Sequence, residues 1–224
     1  MIFDMHVHST FSEDGISGFG EYAELMSKGK IEAIGFTEHV DFLPECGAYD
    51  FFNYEQFMSS VSQYKDMGCK FHAGAEIDYS VRVESDILSH LKKKEYEYVI
   101  GSVHMIKGLS VSNSTDLLNL ESISQMGDIL GIYYSEVAAS LEVEEFDVIG
   151  HVGVYKRYLG NDFFRDNGFS SWIQERDKEI AEMCVHKGKI VEVNSSGLYS
   201  PLNSTVPGRI FLERTIIKEE GWLL

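Results

Sequence analysis

The chain has 224 residues, 44% of them hydrophobic and 12% aromatic, which is enough for one well-buried core of an ordinary α/β domain. Its 36 acidic residues outnumber 19 basic ones, and the formal net charge of −17 argues against nucleic acid as a partner. The 3 cysteines are widely spaced, with no CxxC pair, and indicate neither a disulfide framework nor a thiolate zinc site. We expect a cytoplasmic protein without a membrane partner, because there is no export leader and no apolar run of roughly 20 residues.

Strand-like and helix-like segments alternate along the whole chain, which is typical of a parallel sheet with helical crossovers. In chain order we predict a strand from residue 2, a helix at 18–28, a strand at 33–37, a helix at 53–67, a strand at 70–77, a helix at 83–93, a strand at 96–103, a helix at about 122–142, a strand at 147–151, a helix at 170–186, a strand at 189–194, a helix at 207–219 with proline in its first turn, and the start of a seventh strand at 221–224. Six or seven units of one strand and one helix predict a barrel. The long connections 41–53 and 107–120 would serve as lids or substrate walls.

Six short apolar runs end on side chains that can bind a metal ion. They end at His6 and His8, His39, Glu76, His104, His151 and, in a more polar run, Glu192 and Asn194. The carboxyl ends of the strands meet at one face of a parallel barrel, so these side chains can converge there. One His-x-His pair is weak evidence, because strand histidines are often only hydrogen-bonded in a core. The recurrence of such ligands at equivalent strand ends favours a metalloenzyme. A set of imidazole and carboxylate ligands suits zinc, iron or manganese better than calcium.

The motifs around these ligands resemble those of the PHP (polymerase and histidinol phosphatase) family, in order from residue 2 to about 200. The motifs are His6-Val7-His8-Ser9-Thr10-Phe11-Ser12-Glu13-Asp14-Gly15, Thr37-Glu38-His39, Gly74-Ala75-Glu76, Gly101-Ser102-Val103-His104 and Gly150-His151. Within the family, three segments are similar to the stand-alone histidinol-phosphatase branch: Glu76-Ile77-Asp78-Tyr79, Gly101-Ser102-Val103-His104 and Asn194-Ser195-Ser196-Gly197-Leu198. The resemblance implies an α/β fold, a distorted (β/α)7 TIM-like barrel, and hydrolysis of L-histidinol phosphate to L-histidinol and phosphate in histidine biosynthesis.

The same resemblance implies two or three divalent ions, zinc, manganese or iron, at the carboxyl ends of the strands. One site would use His6, His8 and Glu76, a second would use Glu76, His104 and His151, and a third would use Asp14 and His39. Arg157, six residues past His151, resembles the family's phosphate-binding arginine. Glu76, His104 and Arg157 are therefore the predicted catalytic residues, and Arg157, Ser196 and Arg209 are the predicted contacts of a small phosphorylated substrate. For Arg209 a surface-helix role is at least as good an interpretation. Glu38 and Asp41 flank His39 and are left outside the predicted site.

In the family, a late Asp-x-His motif supplies the last ligands of the first and third sites. Residues 1–224, which we interpret as a single PHP-like domain, do not contain this motif. We therefore expect an incomplete last strand, incomplete metal loading, weakened activity, and an open sheet edge that favours homo-oligomers. Two alternatives stay open at this point. One is a PHP-type phosphoesterase acting on another substrate, such as a phosphotyrosine or a nucleotide. The other is a catalytically impaired metal-binding remnant.

Overall fold

The computed structural model describes residues 2–120 and 122–216, which belong to two compact units. Among the described residues, unit 1 comprises residues 2–78 and 83–100, and unit 2 comprises residues 79–82, 101–120 and 122–216. Unit 1 contains β1 (Phe3–Val7), α1 (Phe19–Ser27), β2 (Ala33–Val40), α2 (Tyr54–Asp66), β3 (Phe71–Asp78), α3 (Glu84–Leu91) and the first residues of β4 (Tyr98–Ser102). A 3-10 helix, Val81–Val83, precedes α3 in the chain. Unit 2 contains the end of β4, β5 (Met105–Ile106), β6 (Leu109–Ser110), α4 (Ser114–Leu118), α5 (Ile123–Ser140), β7 (Val148–Ile149), α6 (Lys156–Asp166), α7 (Ser170–Lys187), β8 (Ile190–Val191), a 3-10 helix (Ser195–Tyr199) and α8 (Arg209–Ile216).

The strands of unit 1 lie side by side in the order β1-β2-β3-β4. Strands β1 and β2 pair in parallel, as do β2 and β3, where the register runs from Ile34↔Phe71 to Val40↔Ile77. This register sets His39 directly beside Glu76. Since side chains two residues apart point to the same face of a strand, the register decides which polar groups meet at the end of the sheet.

An aromatic cluster packs helices α1 and α2 against these strands. The rings of Phe19 and Phe36 stack with their centroids 4.2 Å apart, and Phe71 meets Phe36 edge-on at 4.9 Å. All three side chains are buried, and each such burial stabilises the fold by about 1.5–3 kcal/mol. These ring contacts therefore pack helix α1 against strands β2 and β3.

The strands of unit 2 follow the order β4-β7-β8. Strand β7 pairs in parallel with β8 through Val148↔Ile190 and Ile149↔Val191, and the Gly150 amide donates to the Gly101 carbonyl at 2.9 Å. Helix α7 ends at Lys187 and is capped by Gly188, which has a φ of 64°. Only glycine adopts this left-handed conformation without a steric cost, so Gly188 stops the helix one residue beyond the predicted end at 186.

The alternation of strands and helices is confirmed, with three differences in detail. Helix α6 was not predicted, because Gly160 at a φ of 72° interrupts its helical pattern. Segment 107–120 is not a plain loop, since it holds β6, which forms a hairpin with β5, and helix α4. The prediction of a proline inside the first turn of the last helix is wrong: α8 begins at Arg209, and the carbonyl of Pro207 instead accepts a hydrogen bond from the Thr205 hydroxyl at 3.0 Å.

The predicted seventh strand at 221–224 and the end of the last helix lie outside the described residues. Across residues 2–120 and 122–216, none of the helices combines the length and the apolar character needed to cross a membrane.

Candidate metal centre

Three histidines of unit 1 surround a single carboxylate oxygen. Strand β1 and its end supply His6 and His8, β2 supplies His39, and β3 supplies Glu76. The Oε2 atom of Glu76 lies 3.2 Å from His6 Nε2, 3.3 Å from His8 Nε2 and 3.4 Å from His39 Nδ1. Glu76 is almost fully buried, so water screens this cluster poorly.

Asp14 joins the cluster from the loop that follows β1. Its carboxylate oxygens lie 3.6 Å from His8 Nδ1 and 3.8 Å from His39 Nε2. The loop is folded so tightly that a Cβ on Gly15 would lie 1.8 Å from the carbonyl oxygen of Ser9. A residue with a side chain therefore cannot occupy position 15 without moving the loop that carries Asp14.

The buried Glu38 fastens this loop to β2. Its carboxylate accepts hydrogen bonds from the Ser9 amide at 3.0 and 3.2 Å, from the Ser9 hydroxyl at 2.6 Å and from the Ser12 hydroxyl at 2.6 Å. The Ser12 hydroxyl also accepts from the His39 amide at 2.9 Å and lies 3.2 Å from His8 Nδ1. Glu38 thus supports the positions of His8, Asp14 and His39 without belonging to the cluster itself.

The charges of the cluster shift the pKa values of its members. Burial on its own lowers the pKa of His39, but the carboxylates of Glu76, Asp14 and Asp41 outweigh burial and raise that pKa to about 9. The interaction with His39 lowers the pKa of Asp14, with burial opposing and His8 assisting. A proton therefore sits on His39 at neutral pH in the metal-free protein, and a divalent cation would take its place.

Unit 2 carries a second group of predicted ligands. The Nε2 atoms of His104 and His151 lie 3.3 Å apart, and both residues are buried. The buried carboxylate of Glu192 accepts a hydrogen bond from the His151 amide at 2.7 Å and another from the Asn194 side chain at 2.9 Å. Two imidazole nitrogens this close suit a shared cation, while Glu192 fixes the backbone that carries one of them.

A buried polar network holds the segment between His151 and Arg157. The Lys156 ammonium lies 2.6 Å from Asp177 Oδ2, and Asp177 Oδ1 accepts from the Tyr134 hydroxyl at 2.6 Å. The Gly153 amide donates to the Tyr133 hydroxyl at 2.7 Å. Because a buried ion pair with satisfied partners permits few alternative arrangements, the segment is held in one conformation.

Arg157 lies in the first turn of α6 and is half-buried. Its guanidinium carbon is 5.3 Å from the centre of the Tyr158 ring, and its buried Nε has no hydrogen-bond partner among the described residues. Burial of an N–H donor without an acceptor is energetically unfavourable, so the Arg157 guanidinium is well placed to bind an oxyanion.

The other two predicted substrate contacts have local partners instead. Arg209 is largely exposed and forms an ion pair with Glu213 at 2.6 Å, as in a surface helix. The hydroxyl and the amide of Ser196 both donate to the Asn194 side chain. Their role in substrate binding stays a prediction.

The donor set in unit 1 fits a metal ion. Ligand atoms of His6, His8 and Glu76 lie within 4.8 Å of one another, and so do those of His8, Asp14 and His39. Ligands that share one tetrahedral zinc ion with bonds of about 2.0–2.2 Å lie about 3.3–3.6 Å apart, close to the separations found around Glu76. The assignment of Glu76 to a site with His104 and His151 stays a prediction.

The sequence matches the model of the PHP domain over residues 4–196, and the chain belongs to that family. Curated proteins that the chain matches are named as histidinol-phosphatases. A "Probable histidinol-phosphatase" of Clostridium acetobutylicum is 26% identical over 204 residues, which is 88% of this chain and 74% of that protein. The histidinol-phosphatase of Lactococcus lactis subsp. lactis is 27% identical over 164 residues, which is 69% of this chain and 58% of that protein.

A solved structure shares the fold. The crystal structure of histidinol phosphate phosphatase from Lactococcus lactis, complexed with zinc, L-histidinol and phosphate, matches with a TM-score of 0.74 at 23% identity, covering 90% of this chain and 76% of that one. At this identity the likeness shows the fold alone. It confirms the predicted α/β fold of the TIM-like barrel type.

Sequence reasoning missed the residues that support the ligands. Glu38 is a charged residue inside an apolar strand, and this was the available signal that it has buried partners. Glu192 ended one of the six runs but was given no role. For Asp177, which lies on a helix, the sequence holds no comparable signal.

Proposed function

We propose that this chain is a metal-dependent phosphoric monoester hydrolase that converts L-histidinol phosphate and water to L-histidinol and phosphate. The observation that carries the proposal is the group of three imidazoles around Glu76 Oε2 in a chain of the PHP family. The names of the relatives support the choice of substrate. A role in histidine biosynthesis and a cytoplasmic location belong to the same proposal.

We assign two or three divalent ions to the ligands, with zinc, manganese and iron as the candidates. His6, His8 and Glu76 would hold one ion, and Asp14 and His39 would hold another. His104 and His151 are proposed ligands of a further ion. Bound divalent ions lower the pKa of a water molecule toward neutrality and offset the negative charge of a phosphate.

The protein's own groups then account for the remaining requirements of hydrolysis. Arg157 would bind phosphate oxygens through its planar fork of donors, and the Lys156–Asp177 ion pair would keep it in place. Glu38 would hold the loop that carries Asp14. The substrate we propose is small, as the phosphate ester of an amino alcohol is.

Phosphate release from several esters tests the substrate assignment. We would compare L-histidinol phosphate, O-phosphotyrosine and a nucleoside monophosphate at equal concentration with the metal-loaded chain. We expect the highest kcat/KM for L-histidinol phosphate. Faster hydrolysis of either other ester would replace the proposed substrate while leaving the hydrolase class intact, and hydrolysis of none of the three would contradict the enzyme proposal.

A further inference from the structure

A second group of metal-type side chains lies in unit 1 outside the histidine cluster. It consists of Asp41, Cys46 and Asp78, whose ligand atoms all lie within 4.8 Å of one another. Neither the sequence pattern nor the proposed phosphatase chemistry gives these residues a role.

The strand register explains why the two carboxylates meet. Val40 at the end of β2 pairs with Ile77 of β3, and Asp41 and Asp78 are the next residues of the chain, with ligand atoms within 4.8 Å of each other. Each follows its neighbouring cluster member, His39 or Glu76, by two residues and so points to the same face of the sheet. The two carboxylates form a layer about 6.6 Å beyond His39 and Glu76 along the strands.

The connection after β2 brings the thiol to this layer. The Cys46 amide donates to the Leu43 carbonyl at 2.9 Å, and the Tyr49 amide donates to the Cys46 carbonyl at 3.1 Å. These two turns place Cys46 Sγ 3.1 Å from Asp41 Oδ2. The segment 41–53, predicted as a lid or wall, is thus attached to the strand end through its cysteine.

The burial of Asp41 and the missing partner of its Oδ1 atom favour a cation between Asp41, Cys46 and Asp78. The residue is only 9% exposed, and its Oδ1 has no hydrogen-bond partner among the described residues. Burying a carboxylate oxygen without a donor is energetically unfavourable, and a bound cation would offset that penalty. Burial, followed by the Asp41 charge, raises the pKa of Cys46 to about 12, so the thiol keeps its proton while no metal is bound.

We propose that Asp41, Cys46 and Asp78 bind one divalent ion of the thiolate-binding class, such as Zn²⁺, separately from the ions of the histidine cluster. The ion forms a bond to Cys46 Sγ, and the thiol proton leaves to solvent. Water completes the coordination. A thiolate ligand selects zinc, cobalt or cadmium over magnesium and calcium. The bound ion fastens segment 41–53 to the ends of β2 and β3.

Titration of the full metal-stripped chain with Co²⁺ tests this site independently of any hydrolysis. Histidine and carboxylate ligands give no thiolate-to-cobalt charge-transfer absorption in the near ultraviolet, so that band reports cysteine ligation alone. We expect the band to saturate with one thiolate-bound Co²⁺ per chain and to disappear when Zn²⁺ is added in excess. Absence of the band at excess Co²⁺ would overturn the proposal.

Matched variants identify the residues that produce the absorption band. It should vanish in Cys46→Ser, weaken in Asp41→Asn with at least tenfold lower Co²⁺ affinity, and persist in Cys69→Ser and in His104→Ala. Circular dichroism of each metal-free variant checks folding, and if Cys46→Ser does not fold, X-ray absorption of the zinc-loaded parent should show one sulfur ligand. A band that survives in folded Cys46→Ser, or a parent zinc spectrum without sulfur, would contradict the site.

Discussion

Glu38 is the buried acceptor that holds the loop carrying Asp14, and Glu38→Gln tests that role. The carboxylate accepts from the Ser9 amide, the Ser9 hydroxyl and the Ser12 hydroxyl at 2.6–3.2 Å. A hydrogen bond to a charged group contributes about 1.5–3 kcal/mol. Glutamine keeps one acceptor oxygen but loses the charge and turns an NH₂ group toward these donors. We therefore expect a loss of about 2–4 kcal/mol of unfolding free energy, with weaker metal binding by His8, Asp14 and His39.

Urea unfolding of the metal-free protein measures the loss, with the unfolding slope compared between variants to confirm a common transition. Glu24→Gln is the matched control, since Glu24 is exposed and its side chain forms a surface ion pair with Lys28. It should change stability by less than about 0.5 kcal/mol. If Glu38→Gln unfolds within 0.5 kcal/mol of the parent, about the size of a surface effect, the loop is held by other contacts and the reasoning fails.

Three further predictions concern the ligands and the phosphate contact. Arg157→Ala should lower kcat/KM by about tenfold to a thousandfold, because a charge-assisted contact to phosphate is lost. Arg165 is exposed, and Arg165→Ala should match the parent in the same phosphate-release assay. His104→Ala should lower turnover by about 100-fold or more, since mutation of a residue that merely contacts a metal ligand already lowers activity by about 10- to 100-fold. Full turnover in this variant would show that His104 does not belong to the site. In the metal-free protein the stability contributed by protonated His39 should be fully present below pH 6.5 and be lost as the pH rises through about 9. Urea unfolding should show a slope of up to about 1.4 kcal/mol per pH unit across that window, and His39→Gln should abolish it.

The sequence predicted the strand-end ligands because one physical rule governs them. In a parallel sheet the carboxyl ends of the strands share an edge, so His6, His8, His39 and Glu76 could be expected together before any coordinates were known. The structure places all four within one group in unit 1.

Contacts that depend on register and loop path could not be predicted in the same way. The partners of Glu38 lie in a loop whose course depends on the tight packing at Gly15. Cys46 comes near Asp41 through two irregular turns, so three isolated cysteines gave no sign of a thiolate site. Helix α6 was hidden by a glycine in a non-helical conformation.

Metal removal and restoration, followed by phosphate release from L-histidinol phosphate, tests the central claim most directly. The chain would be stripped with a chelator, freed of the chelator, and assayed before and after addition of Zn²⁺, Mn²⁺ or Fe²⁺. We predict that the stripped protein is inactive and that at least one of these ions restores hydrolysis in the parent. Hydrolysis that persists in the fully stripped protein, or that no divalent ion restores, would contradict the account of this chain as a metal-dependent histidinol-phosphatase.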